Sequence, residues 1–157
     1  EHARHYLTIQ QMRYKNKFSA NILAEDGVEG LYTIKLIVQP ILENAIYHGM
    51  DFADGDGEIA VRARREGEDV LIQVSDNGPG MPAEVVERLL DPAGEYAAPG
   101  AKGSGIGFRN VHLRIQLTFG PRYGLTIQSE PDAGTTVSIR LPALGEAEVR
   151  RERREQP

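Results

Sequence analysis

Apolar residues recur every three to four positions over three stretches of this chain and alternate with polar ones over five others. Within residues 1–15, Tyr6, Ile9 and Arg13 share helical spacing with Leu7 and Met12 on the flank, which predicts an amphipathic helix. Ile34, Leu36, Ile37, Ile41, Leu42, Ala45 and Ile46 predict a buried helix from Ile34 to His48. Pro40 falls near its first turns, where a missing N–H costs least, and Gly49 is placed to end it. A third helix is predicted from Ile106 to Phe119, and Pro82 to Leu90 reads as a short one with Pro82 at its first position. The alternating runs are Phe18–Leu23, Ile59–Arg64, Val70–Ser75, Leu125–Ser129 and Thr136–Leu141, with REGED and EPDAGT as turns between strand pairs. Residues 91–105 hold almost no large apolar side chain, and a loop that long inside a compact domain is usually functional or mobile. Hairpin-linked strands mixed with long helices predict an α+β fold, a two-layer sandwich with helices on one face of a mixed, mostly antiparallel sheet.

Composition narrows the function classes. The 157 residues include no cysteine, which excludes disulfides and thiolate metal sites and fits a reducing compartment. No apolar run approaches the roughly 20 residues of a membrane span, and the polar start EHARHYLTIQQMRYKNK is no secretory signal. That opening helix has no capping residue ahead of it, so the chain is expected to be a piece of a longer protein. Net charge is −5, and the one dense basic run (Arg150, Arg151, Arg153 and Arg154) is interrupted by glutamates and lacks an aromatic residue to stack a base. It reads as a solvated tail, so no nucleic-acid partner is expected.

Three short segments carry the candidate chemistry: ENAIYHG at 43–49, DNGPGM at 76–81 and GSGIGF at 103–108. Asn44 sits mid-helix, where asparagine is a poor helix former. It is either a satisfied amide or a neutral oxygen ligand for Mg²⁺ that also touches phosphates. His48, one turn on, fits a phosphate donor or a helix-end cap equally well. Asp76 closes an apolar strand; it either caps the turn or accepts a hydrogen bond from the amine of adenine. Gly78 and Gly80 permit positive φ and let a flat base approach the backbone. Gly103, Gly105 and Gly107 run into a helix, where bare N–H groups and the helix dipole favour an anion, and Lys102 adds a charge. The spacing is neither the dinucleotide fingerprint nor the Walker loop.

In this order the segments resemble the N box and the two glycine boxes of the ATP-binding domain shared by gyrase, the heat-shock chaperone of that class, histidine kinases and the mismatch-repair ATPase. More narrowly the chain is similar to sensor histidine kinases of the LytS/YesM type, through YLTIQQMRY, VQPILENAIYHG, GSGIGFRNVHLRIQLTFG and GTTVSIRLP, nearly from residue 5 to residue 142. The resemblance implies ATP and Mg²⁺ as ligands, with Asn44 holding metal and phosphate and Asp76 reading adenine. Gly78 and Gly80 shape the base pocket, residues 82–102 form a lid, and Gly103, Gly105 and Gly107 hold the phosphates. Asn110 and Thr135 lie within reach of the nucleotide, and Met81, Ser104, Ile106 and Phe108 complete the boxes.

The resemblance further implies an N-terminal helix at 1–17 that ends a linker, the ATP-binding domain at 18–143 and a charged tail at 144–157. The phosphoacceptor histidine is expected outside this chain, since neither His2 nor His5 has the Pro-His-Phe setting, and His112 reads as structural. A response regulator as partner, a dimer at full length and a cytoplasmic domain of a membrane-anchored protein are implied too. Two positions depart from the pattern. Where ATP-hydrolysing members and serine kinases carry a glutamate base, four residues before the asparagine, this chain has Pro40, and Glu43 is expected to point elsewhere. Tyr47 stands where many histidine kinases have a lysine. An ATPase or serine kinase, or a scaffold without catalysis, are the alternative readings.

Overall fold

The computed structural model describes residues 2–15, 17–33, 37–49, 56–91 and 104–145. Along the chain run α1 (His2–Arg13), β1 (Phe18–Ala24), α2 (Val38–Gly49), β2 (Gly57–Glu66), β3 (Asp69–Asp76), α3 (Ala83–Leu89), α4 (Ser104–Phe119), β4 (Gly124–Ser129) and β5 (Thr135–Pro142). The strands form one sheet in the order β1-β2-β3-β5-β4. Its pairs are antiparallel except β1 with β2, which run parallel because α2 carries the chain back between them. The predicted α+β sandwich is therefore present, with a mixed sheet.

The strand register separates two chemically different faces. Val61 pairs with Val74, Val74 with Val137 and Val137 with Ile127, so one face is an apolar row across four strands. Helical spacing supplies the other layer: Ile37, Ile41, Leu42, Ala45 and Ile46 around α2, Phe108, Val111 and Ile115 of α4, and Leu7 of α1 join one cluster with those valines. Leu42, Ile115 and Ile139 are fully shielded from water. The opposite face is polar, where Gln73 bonds Ser138 and Thr136 bonds Ser75.

Three helix starts differ from the sequence reading. Helix α2 begins at Val38, which puts Pro40 third in the helix, still inside the first turn whose N–H groups need no helical partner; residues 34–36 lie outside the described residues. Pro82 caps α3 from outside with extended backbone (ψ 152°), and its carbonyl accepts from Val85 and Val86. Helix α4 starts at Ser104, two residues ahead of the predicted Ile106, because glycine backbones can join a first turn without burying side chains. The β2–β3 hairpin closes on Gly67 and Glu68, with Gly67 at φ +63°, the left-handed region that a two-residue turn requires.

Two polar knots hold the sheet end remote from the three segments. Asp69 Oδ2 accepts from Arg122 Nη2 and from Arg140 Nη1, both at 2.9 Å, and Oδ1 accepts from Tyr123 Oη at 3.2 Å. Burial pushes this carboxyl up, but the bonds from Arg140, Arg122 and Tyr123 outweigh it and hold it below the usual carboxylate range. His112 is the other knot. Its Nδ1 accepts the Leu125 N–H at 3.0 Å, and Gly124, at φ +138°, keeps clear the space a side chain would take from the ring.

Burial holds the His112 pKa below the ordinary histidine value of about 6.5. Since the folded value is the lower one, the unfolded chain binds the proton first. The stabilisation is therefore complete above about 6.5 and is lost as pH falls through the folded pKa. Melting curves between pH 7.5 and 5.5 are expected to drop less for His112→Gln, which keeps an acceptor that does not titrate. Equal slopes for the two chains would rule this out.

Candidate ATP site

The ENAIYHG segment lies on α2. Asn44 is half-buried, and its Nδ2 donates to the Pro40 carbonyl one turn back at 3.0 Å. That bond fixes the amide plane and leaves Oδ1, a hard neutral donor, without a hydrogen-bond partner among the described residues. A β-carbon on Gly107 would stand 3.4 Å from Asn44 Nδ2 and 3.9 Å from Pro40 Cβ, so the glycine-rich start of α4 lies directly against the N-box amide. Two of the three segments therefore meet. Ser104, Gly105, Ile106 and Gly107 form the first turn of α4, whose backbone N–H groups have no intrahelical acceptor. Lys102 and Gly103 lie outside the described residues. His48 is in the last turn of α2, and its side chain lies outside the description as well.

The third segment comes to the same face from the sheet. Asp76 ends β3 in register with Thr135 and Ile59, on the helix-packed side, and α2 packs across β3. Its Oδ1 accepts the Gly78 N–H at 2.9 Å, which folds the turn under the carboxylate. Gly78 is buried and Gly80 stands at φ +66° with the Glu130 carbonyl where a side chain would go. From the other side Gly134, at φ +81°, takes the Asp76 carbonyl against its Cα. The 76–81 loop and the 130–134 turn thus interlock by backbone contact, and Asp132 N–H donates to Pro79 O at 2.8 Å.

Ser129 and Asn77, which sequence reading overlooked, hold this corner. Ser129 Oγ accepts from Met81 N–H and donates to Gly134 O, each at 2.9 Å. Its one hydrogen is then spent, so Thr135 Oγ1, also 2.9 Å away, is the donor of that pair. Asn77 Oδ1 accepts from Glu58 N–H at 2.7 Å, while Nδ2 donates to Asp56 O at 2.9 Å, tying the end of β3 to the start of β2. The signal for Asn77 was its place between an aspartate and a glycine, a turn position where asparagine bonds backbone. Nothing near Ser129 marked it before the register paired it with Thr135.

The structure thus brings Asn44 against Gly107, and separately gathers Asp76, Gly78, Gly80, Met81 and Thr135 at the end of β3. Phe108 differs. It is 4% exposed and packs in the core, where it positions the first turn of α4 from beneath. Asn110 is exposed one turn further along. Glu43 and Tyr47 line a groove with Asn44 on the α1 side of α2.

A mixed sheet under a helix layer, with the amide helix and the glycine-rich helix in contact, defines a nucleotide-binding α+β domain. Residues 32–145 match the family described as histidine kinase-, DNA gyrase B- and HSP90-like ATPases, and the chain belongs to that family. Among curated relatives, it is 37% identical over 143 residues to the sensor histidine kinase YesM of Bacillus subtilis, covering 91% of this chain and 23% of that protein. It is 33% identical over 147 residues to the sensor histidine kinase BtsS of Escherichia coli, covering 94% of this chain and 23% of that one. The chain therefore spans about a quarter of the length of these relatives. The fold matches the catalytic domain of the histidine kinase ThkA in a nucleotide-free form (TM-score 0.64, 16% identity, 88% of this chain and 87% of that one). It also matches the mycobacterial sensor histidine kinase MprB (TM-score 0.60, 17% identity, 90% and 92%). Among the described residues no helix is long and apolar enough to cross a membrane, and no three His, Asp or Glu side chains gather as a metal site.

Proposed function

We propose that this chain is the catalytic, ATP-binding domain of a two-component sensor histidine kinase. It delivers the γ-phosphoryl of ATP to a histidine outside residues 1–157, from which a response-regulator aspartate takes it. The observation that carries this reading is the contact between Asn44 and Gly107. A half-buried amide stands against the glycine-rich start of a helix whose first N–H groups have no helical acceptor, the pairing of donor types that a triphosphate with its metal needs. Mg²⁺, when bound there, supplies charge neutralisation of the phosphates. Asn44 Oδ1 holds it, the α4 backbone binds the phosphates, Asp76 fixes the base, and Met81 and Thr135 border it.

Pro40 bears on the reaction class. It stands one turn before Asn44 with its ring near Gly107, and a saturated ring has no group to take a proton from water. The domain thus holds ATP for an acceptor that is its own nucleophile, with positioning and charge doing the catalysis. The full-length protein is a membrane-anchored dimer in this reading, with the ATP-binding domain in the cytoplasm.

Calorimetry tests it. The chain is expected to bind ATP with Mg²⁺ more tightly than with EDTA. Asn44→Ala should lose that difference and weaken magnesium-dependent binding about 10- to 100-fold, the worth of a charge-assisted contact. Steady-state hydrolysis by the unaltered chain should stay near background. Vigorous hydrolysis abolished by Asn44→Ala would favour an ATPase or serine kinase, and no magnesium-dependent binding would leave only a scaffold.

A further inference from the structure

A groove of about 420 Å³ between α1 and α2 shares only Asn44 with the proposed nucleotide residues. Tyr6 and Arg13 of α1 form one wall with Tyr14 just beyond that helix, and Glu43, Asn44 and Tyr47 of α2 form the other. Asn44 is therefore shared between the phosphate side and this groove. The Arg13 guanidinium lies 5.6 Å from the centre of the Tyr14 ring. Gln39 Nε2 donates to Glu43 Oε1 at 2.9 Å, which restrains the carboxylate, and Oε2 has no hydrogen-bond partner among the described residues. Burial and then the nearby Glu43 charge push the Tyr6 hydroxyl above its ordinary value, so phenol and carboxylate face the same space.

We propose that this groove receives the phosphoacceptor imidazole and that Glu43 is the positioning residue that orients it, an inference that rests on the histidine kinase reading. A flat heteroaromatic ring suits a slot walled by three phenols. Neutral imidazole carries one N–H and one lone pair. A carboxylate that takes the N–H fixes the tautomer and turns the lone pair to the far side of the ring, away from Glu43 and toward the neighbouring Asn44 side. That lone pair forms the N–P bond as the bond from phosphorus to the ADP oxygen breaks, and the electron pair of the broken bond leaves on ADP. The proton on the other ring nitrogen stays in its bond to Glu43, whose charge stabilises the imidazolium formed. Arg13 adds positive charge on the same side, where the phosphoryl group moves. A serine hydroxyl has no second N–H to offer, so the same carboxylate selects against it.

The test uses the full-length protein, which carries its own acceptor, with Glu43→Gln, Glu43→Ala and Arg13→Gln. Both Glu43 variants should bind Mg-ATP within about twofold of the unaltered protein by calorimetry, yet form phosphohistidine about 10- to 100-fold more slowly. The pH profile separates orientation from packing. The groups facing Glu43 are Tyr6, Arg13, Tyr14 and Tyr47, and of these charges only Glu43 raises the acceptor pKa. Glu43→Gln should move the acid limb of the rate to lower pH, and Arg13→Gln should move it the opposite way. Unaltered rates in both Glu43 variants, or slower rates with an unmoved limb, would overturn the proposal. Absence of Mg-ATP binding or of any phosphohistidine in the unaltered protein would instead bring down the kinase reading, and this proposal with it.

Discussion

Asp76→Asn is expected to bind ATP about 10- to 100-fold more weakly while melting within a degree or two of the unaltered chain. The reason lies in the turn. Gly78 N–H already claims one carboxylate oxygen, at 2.9 Å. An asparagine keeps its carbonyl there, because the backbone donor needs an acceptor. Its NH₂ then stands where the second oxygen was, and a donor faces the donor amine of adenine. Loss of a charge-assisted bond is compounded by a mismatched pair, whereas the fold keeps its turn. Titration calorimetry and a thermal melt read the two quantities separately. Equal affinity in both chains would remove Asp76 from the base pocket, and a large fall in melting temperature would make it a structural residue.

Gly134→Ala should cost about 2 to 5 kcal/mol of stability, a large share of what holds a marginal domain together. Two terms add. At φ +81° any side chain pays the left-handed penalty of roughly 1 to 2 kcal/mol. The β-carbon would also run into the Asp76 carbonyl, a backbone atom that cannot turn aside, and displacing packed backbone typically costs a further 1 to 3 kcal/mol. Gly30 isolates the first term, since it has φ +79° with nothing within 4 Å of an added β-carbon. Gly30→Ala is therefore expected to lose only about 1 to 2 kcal/mol. Urea denaturation of the pair is the measurement, and equal losses would mean that the 76–81 and 130–134 loops do not interlock.

What the sequence revealed depended on how local the physics was. Elements built on periodicity were legible: Ile41, Leu42, Ala45 and Ile46 pointed to α2, and alternation around Val61 and Val74 pointed to β2 and β3. The three segments were legible because glycine, amide and carboxylate stand in characteristic order. The parallel pairing of β1 with β2 was less visible, because it follows from where α2 returns the chain. The same holds for Ser129, whose partners Met81, Gly134 and Thr135 are brought to it by strand register. The wall that faces Glu43 was illegible for a related reason: helical geometry sets Glu43 apart from Asn44 around α2, but α1 builds the facing wall, and no pattern within residues 38–49 announces that neighbour.

The two ends of the sheet are fastened by different physics. At one end Ser129, Thr135, Asn77 and backbone carbonyls join through neutral hydrogen bonds; at the other, Asp69 with Arg122 and Arg140 joins through full charges. Neutral bonds carry no net charge to be screened, whereas the ion pairs respond to salt only through the exposed arms of Arg122 and Arg140, since Asp69 itself is buried. The corner proposed to hold the base is thus fastened without net charge, while the full charges of the sheet are gathered at its far edge, away from where a polyanionic nucleotide and its counterions would arrive.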